Sequence, residues 1–307
     1  MGQARIKRQR KAAAEVGEVT RDARAHRRET FARMRHGTVA IVVAPQPLAQ
    51  PTPSGPHAIA AINILGSGVL IDQTGTVVTA KHVVQPLLDA ARRAAHSSPP
   101  GPVVPPQVLF IGRATAANRP TLQPGQEIAW DMAITVMPAQ HVIEHDLADV
   151  ALIYCGAGEL IEQSIGSALK LSDEDACEGD EVVACGFPLG RSLHSDLYDG
   201  LVFSPSFSRG VVSAVLPHPA AQPKSRPFFQ FDATILGGNS GGPVCDAVTG
   251  EVVGLTISTT SQRISYQDPA GQAASADVPI GFPRALPVYT IREFVRLNPR
   301  PRAPVQP

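Results

Sequence analysis

From Thr38 onward the sequence is a succession of short β-branched apolar runs, each cut off by Gly, Pro, Asn or Asp: TVAIVVA, AINILGSGVLI, TVVTA, QVLFIG, AITVMP, DVALIY, EVVACGF, RGVVSAVL, PFFQFDAT and EVVGLTIS. Runs this short and this often interrupted predict an all-β barrel or sandwich. Two segments instead carry apolar residues at three- and four-residue spacing, so VVQPLLDAARRAA (83–95) and LPVYTIREFVRL (286–297) are predicted helices. Pro- and Gly-rich stretches at 44–57, 97–107 and 217–227 read as surface insertions and the tail NPRPRAPVQP (298–307) as disordered. No repeat of fixed period is present.

Composition narrows the class. Of 307 residues, 43% are hydrophobic and 18% charged, which supports a buried core and excludes wholesale disorder. Aromatics, at 5%, are too sparse for a surface that works by stacking on bases or sugars. The formal charge of zero hides a division: residues 1–35 carry +7, so the remainder carries −7. A basic head on an acidic body fits a weak contact with nucleic acid through residues 1–35, a contact with an acidic surface or with the body itself, and equally a solvated basic helix. No run of 18 apolar residues exists, so no transmembrane helix and no membrane partner are predicted. The segment MGQARIKRQRKAAAEVGEV has no apolar stretch after its charges and does not read as a secretory signal, so the expected compartment is the cytoplasm. Cys155, Cys177, Cys185 and Cys245 are irregularly spaced with no CxxC pair, which predicts free buried thiols rather than a zinc site or a disulfide framework.

Three segments carry chemistry. In FDATILGGNSGGPVCD (231–246), Gly237, Gly238, Gly241 and Gly242 surround Ser240. A turn of this kind can aim two backbone N–H groups, those of Gly238 and Ser240, at a developing oxyanion. A serine hydroxyl is a poor nucleophile without a neighbouring base. GSGVLIDQTGTVVTAKHVV (66–84) reads as strand, turn, strand, then His82 at the corner into a helix. Its Gly66-Ser67-Gly68 is not a phosphate loop, because a strand follows and no Lys-Ser/Thr completes it. HDLADVALIYC (145–155) opens a buried-looking strand with Asp149, a carboxylate able to orient an imidazole. WDMAIT (130–135) has the same pattern around Asp131, so two aspartates compete.

In the order His, Asp, Ser, these segments resemble the trypsin-like, chymotrypsin-fold serine peptidases, and within them the bacterial HtrA/Deg-like branch. GNSGGP is similar to the family's nucleophile motif, TAKHVV to its histidine motif and ADVALI to its aspartate motif. SALKLSDEDACEGDEVVACGFPLG (167–190) resembles the segment linking the two barrels, which favours Asp149 over Asp131. The resemblance spans roughly 38–290 and implies two packed six-stranded Greek-key β-barrels with a C-terminal helix. The implied layout is a basic extension at 1–36, an N-terminal barrel at 37–165 holding His82 and Asp149, a C-terminal barrel and helix at 166–297 holding Ser240, and the tail at 298–307. It further implies a serine endopeptidase acting through an acyl-enzyme on a protein or peptide substrate, with no metal and no organic cofactor.

The departures from the family are specific. Asn239 stands where zymogen-activated members carry Asp, and no activation motif precedes TVAIVV, so activation by N-terminal insertion is not expected. No cysteine flanks His82 or lies just upstream of Ser240, which agrees with a reducing compartment. With no sequence after residue 307, the PDZ domain that many HtrA-like proteins carry there is not expected. By the resemblance, the specificity pocket has Thr234 at its base and Ile257, Ser258 and Thr259 along its wall, and favours a small or medium apolar side chain. The rival reading is a latent or inactive peptidase-fold binding or scaffolding module controlled by an activating protein partner. The sequence leaves the oligomeric state open.

Overall fold

The computed structural model describes residues 23–43, 63–96, 106–113, 132–155, 168–188, 205–216, 228–259, 261–267, 272–279 and 281–301. Helix α1 covers 23–37. It runs directly into β1 (Thr38–Val43), followed by β2 (Asn63–Leu70), β3 (Thr76–Thr79), helix α2 (Lys81–His96), β4 (Gln107–Arg113), β5 (Met132–Glu144) and β6 (Ala151–Cys155). These six strands close into an antiparallel barrel in the order β1-β2-β3-β6-β5-β4. The second half supplies β7 (Glu181–Gly186), β8 (Ser206–Leu216), β9 (Phe228–Phe231), β10 (Pro243–Asp246), β11 (Val252–Ser258), β12 (Ser261–Gln267), β13 (Ala273–Pro279), β14 (Arg284–Pro287) and helix α3 (Val288–Leu297). Six of them close a second barrel, β10-β11-β14-β9-β8-β7, while β12 and β13 pair only with each other.

Leaving that hairpin aside, the barrels repeat one strand order although the sequence shows no repeat. The chain crosses from the third to the fourth strand through α2 in the first barrel and through the Ser240 segment in the second. It crosses from the fifth to the sixth through residues 145–150 in the first and through the β12–β13 hairpin in the second. The residues singled out for chemistry therefore sit in equivalent connections of two like barrels.

The β-branched runs form strands because a closed barrel buries their inward positions. In β9, Phe229 and Phe231 are buried while Phe228 and Gln230 are half-buried, the two-residue period of a strand. Tyr154, Phe229 and Phe231 are among the largest fully buried side chains, each contributing about 2–3 kcal/mol of burial energy. The larger apolar cluster runs from the first barrel (Val69, Val77, Leu152, Ile153) into Val183, Val252, Leu286 and Phe294 of the second half.

Both segments flanking the barrels are tied down. Met34 of α1 is fully buried, Phe31 meets Phe207 of β8 edge-on at 4.9 Å, and Arg33 Nη2 donates to the Thr249 carbonyl at 3.3 Å. A Cβ on Gly250 would lie 2.7 Å from Thr30, so the β10–β11 turn accepts the helix closely. Part of the basic head thus contacts the body itself; residues 1–22 lie outside the described residues. So do the insertions at 44–57 and 217–227, most of that at 97–107, and the expected boundary between the barrels at 165–166. The tail departs from the expected disorder in its first residues. The Tyr154 hydroxyl donates to the Asn298 carbonyl at 2.5 Å, and the Arg300 guanidinium donates to the Thr74 and Cys155 carbonyls of the first barrel.

Cys155, Cys185 and Cys245 are free and buried, but Cys177 is exposed in the turn before β7, contrary to the expectation of four buried thiols. Polar residues surround it (DEDACEGDE), so no apolar run draws it inward. Burial pushes the Cys155 and Cys185 thiols up to about 12 and Cys245 well above its ordinary value. Each therefore stays protonated and unreactive at pH 8. Native protein treated with iodoacetamide at pH 8 is expected to take up one label, at Cys177, and unfolded protein four; peptide mapping by mass spectrometry checks this.

Candidate active site

His82 is the second residue of α2, three residues beyond the end of β3. Its backbone N–H donates to Asp149 Oδ1 at 3.0 Å, and its ring Nδ1 lies 2.7 Å from Asp149 Oδ2. The carboxylate thus satisfies an orphan N–H at the start of α2 and grips the imidazole of the same residue. An ionised carboxylate only accepts, so Nδ1 carries the proton and Nε2 keeps its lone pair. The His82 side chain is 47% exposed and Asp149 22%, so the free edge of the ring is open.

A small turn presents Asp149. The His145 N–H donates to the Val150 carbonyl at 3.0 Å, and the Leu147 and Ala148 amides both donate to His145 Nδ1 at 3.0 Å. Lys81 Nζ donates to the His145 carbonyl at 2.9 Å, tying this turn to the residue before His82. Asp131, the competing carboxylate, lies outside the described residues.

The Ser240 segment consists of two overlapping turns. Asn239 N–H donates to the Leu236 carbonyl at 3.1 Å and Gly242 N–H to the Asn239 carbonyl at 2.9 Å. Each turn has a glycine at its third position with positive φ, Gly238 at 96° and Gly241 at 83°, as type II turns require. Gly242 is needed for a different reason: a Cβ there would lie 2.2 Å from the Cys185 carbonyl. Gly237 faces open space. Gly241 N–H donates to the Thr256 carbonyl at 2.7 Å and Thr256 N–H to the Gly242 carbonyl at 2.9 Å, which locks the turns to β11. Among the described residues, the Gly238 and Ser240 amides donate to no protein group, so both remain available to a ligand.

The turn and the histidine corner abut across the barrels. Cβ atoms built on Gly241 would fall 2.3 Å from Thr79 Oγ1 and 2.8 Å from Ala80 N. One on Gly66 would fall 2.7 Å from Val83 and 2.9 Å from the Ser240 carbonyl. The half-buried Ser240 is thereby flanked by Gly241, which packs on Thr79 and Ala80, and by Gly66, which lies between the Ser240 carbonyl and Val83.

Beside it opens a cavity of about 560 Å³ lined by Asp232, Ala233, Thr234, Ile235, Leu236, Thr259, Gly281, Phe282 and Pro283. Thr234, which is exposed, and Thr259 both line this cavity. Ile257 instead packs against the large apolar cluster, and neither it nor Ser258 lines the cavity. Ile257 is half-buried near the end of β11, and its side chain packs on the apolar cluster rather than into the cavity. Sequence reasoning missed Phe282 and Pro283, whose one signal is the GFP segment just before β14. It also missed Asp232, whose Oδ1 is occupied by the Val211 N–H at 2.6 Å. Among the described residues, no group of three or more His, Cys, Asp or Glu is placed to hold a metal ion, and no helix is long and apolar enough to cross a membrane.

Comparison with known proteins decides the family. The family model described as "Trypsin-like peptidase domain" matches residues 66–255, from the Gly66-Ser67-Gly68 strand through the Ser240 turns into β11. The chain is a trypsin-like peptidase family member. A protein of Arabidopsis thaliana described as protease Do-like 14 is 30% identical over 207 residues, covering 67% of this chain and 38% of the relative, so the chain spans well under half that relative's length. The crystal structure of Deg5 superposes with a TM-score of 0.53 at 18% identity over 88% of this chain and 92% of that one. An HtrA-type protease, AlgW, solved with a decapeptide, gives a TM-score of 0.49 at 19% identity over 88% of this chain and 66% of that one. At this identity the Deg5 superposition shows the fold: this trypsin-like peptidase chain shares the double barrel of Deg5.

Proposed function

We propose that this trypsin-like peptidase chain is a serine endopeptidase that cleaves peptide bonds through Ser240, His82 and Asp149. One observation carries the reading: the Asp149 carboxylate holds His82 Nδ1 at 2.7 Å and leaves Nε2 unengaged by it, while Gly241, next to Ser240, packs against Thr79 and Ala80 just ahead of His82. Nε2 takes the Ser240 proton as Oγ attacks the peptide carbonyl. The Gly238 and Ser240 amides receive the oxyanion. His82, now protonated, gives its proton to the leaving amine, and water repeats the cycle on the acyl-enzyme. Asp149 stabilises the imidazolium without taking the proton.

The side chain preceding the scissile bond enters the 560 Å³ cavity. Ile235, Leu236, Phe282 and Pro283 favour a small or medium apolar group, and the one acidic residue there already spends an oxygen on a backbone amide. Activation without N-terminal insertion is supported by the unbroken passage from α1 into β1, where Thr38 Oγ1 donates to the Met34 carbonyl at 2.8 Å. The neutral, buried Asn239 supports the same point, since it cannot form an ion pair with a new amine. A cytoplasmic setting is part of the proposal, supported by four cysteines without disulfide partners.

A fluorophosphonate probe tests the reading. Wild type is expected to be labelled at Ser240 and the folded Ser240→Ala variant to be silent. Equal silence in folded wild type would instead favour a peptidase-fold binding module.

A further inference from the structure

Ser67, in the middle of the Gly66-Ser67-Gly68 motif, lies on β2 of the first barrel and is fully buried. All of its polar groups are engaged with other segments. Its N–H donates to the Ser240 carbonyl at 2.8 Å, and its carbonyl accepts from Thr79 Oγ1 at 2.7 Å. Its hydroxyl donates to the Gly238 carbonyl at 2.7 Å and accepts from the Phe187 N–H at 2.9 Å. One residue thus joins the nucleophile turn, the exit of β7 and the strand leading to His82.

The surrounding glycines make room for it. A Cβ on Gly186 would lie 2.8 Å from the Ser67 hydroxyl, one on Gly242 3.1 Å from Ser67 Cβ, and one on Gly241 2.2 Å from the Ser67 carbonyl. Gly238 is the residue that most needs outside support. Its N–H is one of the two proposed oxyanion donors, its φ is 96°, and a glycine backbone resists rotation out of that state less than any other. The adjoining Gly238–Asn239 peptide is held at both of its polar ends, its N–H by the Leu236 carbonyl at 3.1 Å within the turn and its carbonyl by the Ser67 hydroxyl, the one grip that comes from outside the turn.

We infer that Ser67 is a positioning residue, whose hydroxyl reaches from the opposite barrel to hold the Gly238–Asn239 peptide so that the Gly238 and Ser240 amides converge on one point. The inference rests on the serine peptidase reading. A hydroxyl suits the role because it donates and accepts at once. Alanine fills nearly the same space but leaves a buried carbonyl and a buried amide without their partner.

The test is saturation kinetics of fluorophosphonate labelling on full-length wild type and Ser67→Ala, with thermal melting of both. The expected result is complete final labelling of the variant, a maximal rate lower by about 10–100-fold, and a half-saturating probe concentration within about twofold of wild type. A purely structural role would give a reduced labelled fraction whose rate is unchanged, and that result overturns the inference. Labelling of wild type and variant at equal rates overturns it too. Should Ser67→Ala fail to fold, Ser67→Cys keeps a side chain of the same connectivity with a bulkier and weaker donor, and its rate is expected to fall at least about threefold; a wild-type rate there overturns the inference. Folded wild type that takes no label overturns the peptidase reading and, with it, the inference.

Discussion

Asp149→Asn is expected to slow turnover about 10⁴-fold while leaving the chain folded. Both carboxylate oxygens hold His82, Oδ1 through the backbone N–H at 3.0 Å and Oδ2 through Nδ1 at 2.7 Å. Asparagine has one acceptor and one donor group. Its oxygen can keep the backbone hydrogen bond at the start of α2, which preserves the fold. Its NH₂ then faces Nδ1 and requires an acceptor there, so the ring proton moves to Nε2, the nitrogen that must take the Ser240 proton. The lost stabilisation of the imidazolium adds to the wrong tautomer. Fluorophosphonate labelling rates and circular dichroism of the purified variant check both halves. A loss below tenfold in a folded variant would remove Asp149 from the proposed mechanism.

Gly241→Ala is expected to lower stability by about 3–5 kcal/mol, from a left-handed backbone forced on a residue with a Cβ and from crowding in a packed interior. The crowding is severe: the new methyl would lie 2.2 Å from the Ser67 carbonyl, 2.3 Å from Thr79 Oγ1 and 2.8 Å from Ala80 N, with φ at 83°. Two of these neighbours are backbone atoms of the opposite barrel, so relief requires the barrels to part. The melting temperature should fall by about 5–8 °C. Gly237→Ala is the control, since its Cβ meets nothing within 4 Å. Equal melting of the two variants would show that the inter-barrel contact at Gly241 is not tight.

Most of the barrel strands were legible because a buried strand needs β-branched runs, and TVAIVV, TVVT and ALIYC provide them almost undiluted. What escaped was of another kind. β10 is four residues long and opens with Pro243, β14 reads RALP, and β12 and β13 are polar or alanine-rich with Ile264 and Tyr266 exposed. These strands exist through their partners: β10 is held between β7 and β11, and β14 between β11 and β9. The chemistry-bearing segments stood out because each is local, and the structure brings His82 and Asp149 together from 67 positions apart. The cavity wall was only half visible, since Phe282 and Pro283 reach it from 48 and more positions beyond Thr234. The bond from Ser67 to Gly238 spans 171 positions and leaves no pattern in either segment.

The segments before and after the barrels are exchanged. Helix α1, which leads into the first barrel, is laid on Phe207 and the Gly250 turn of the second. The stretch after α3, which leaves the second barrel, is fastened by Asn298 and Arg300 to Tyr154, Thr74 and Cys155 of the first. A molecule laced in this way has no seam. Cutting the chain between the barrels would strip each half of a covering that only the other half supplies, so neither is a portable unit, and the cleft between them is inherited whole or not at all.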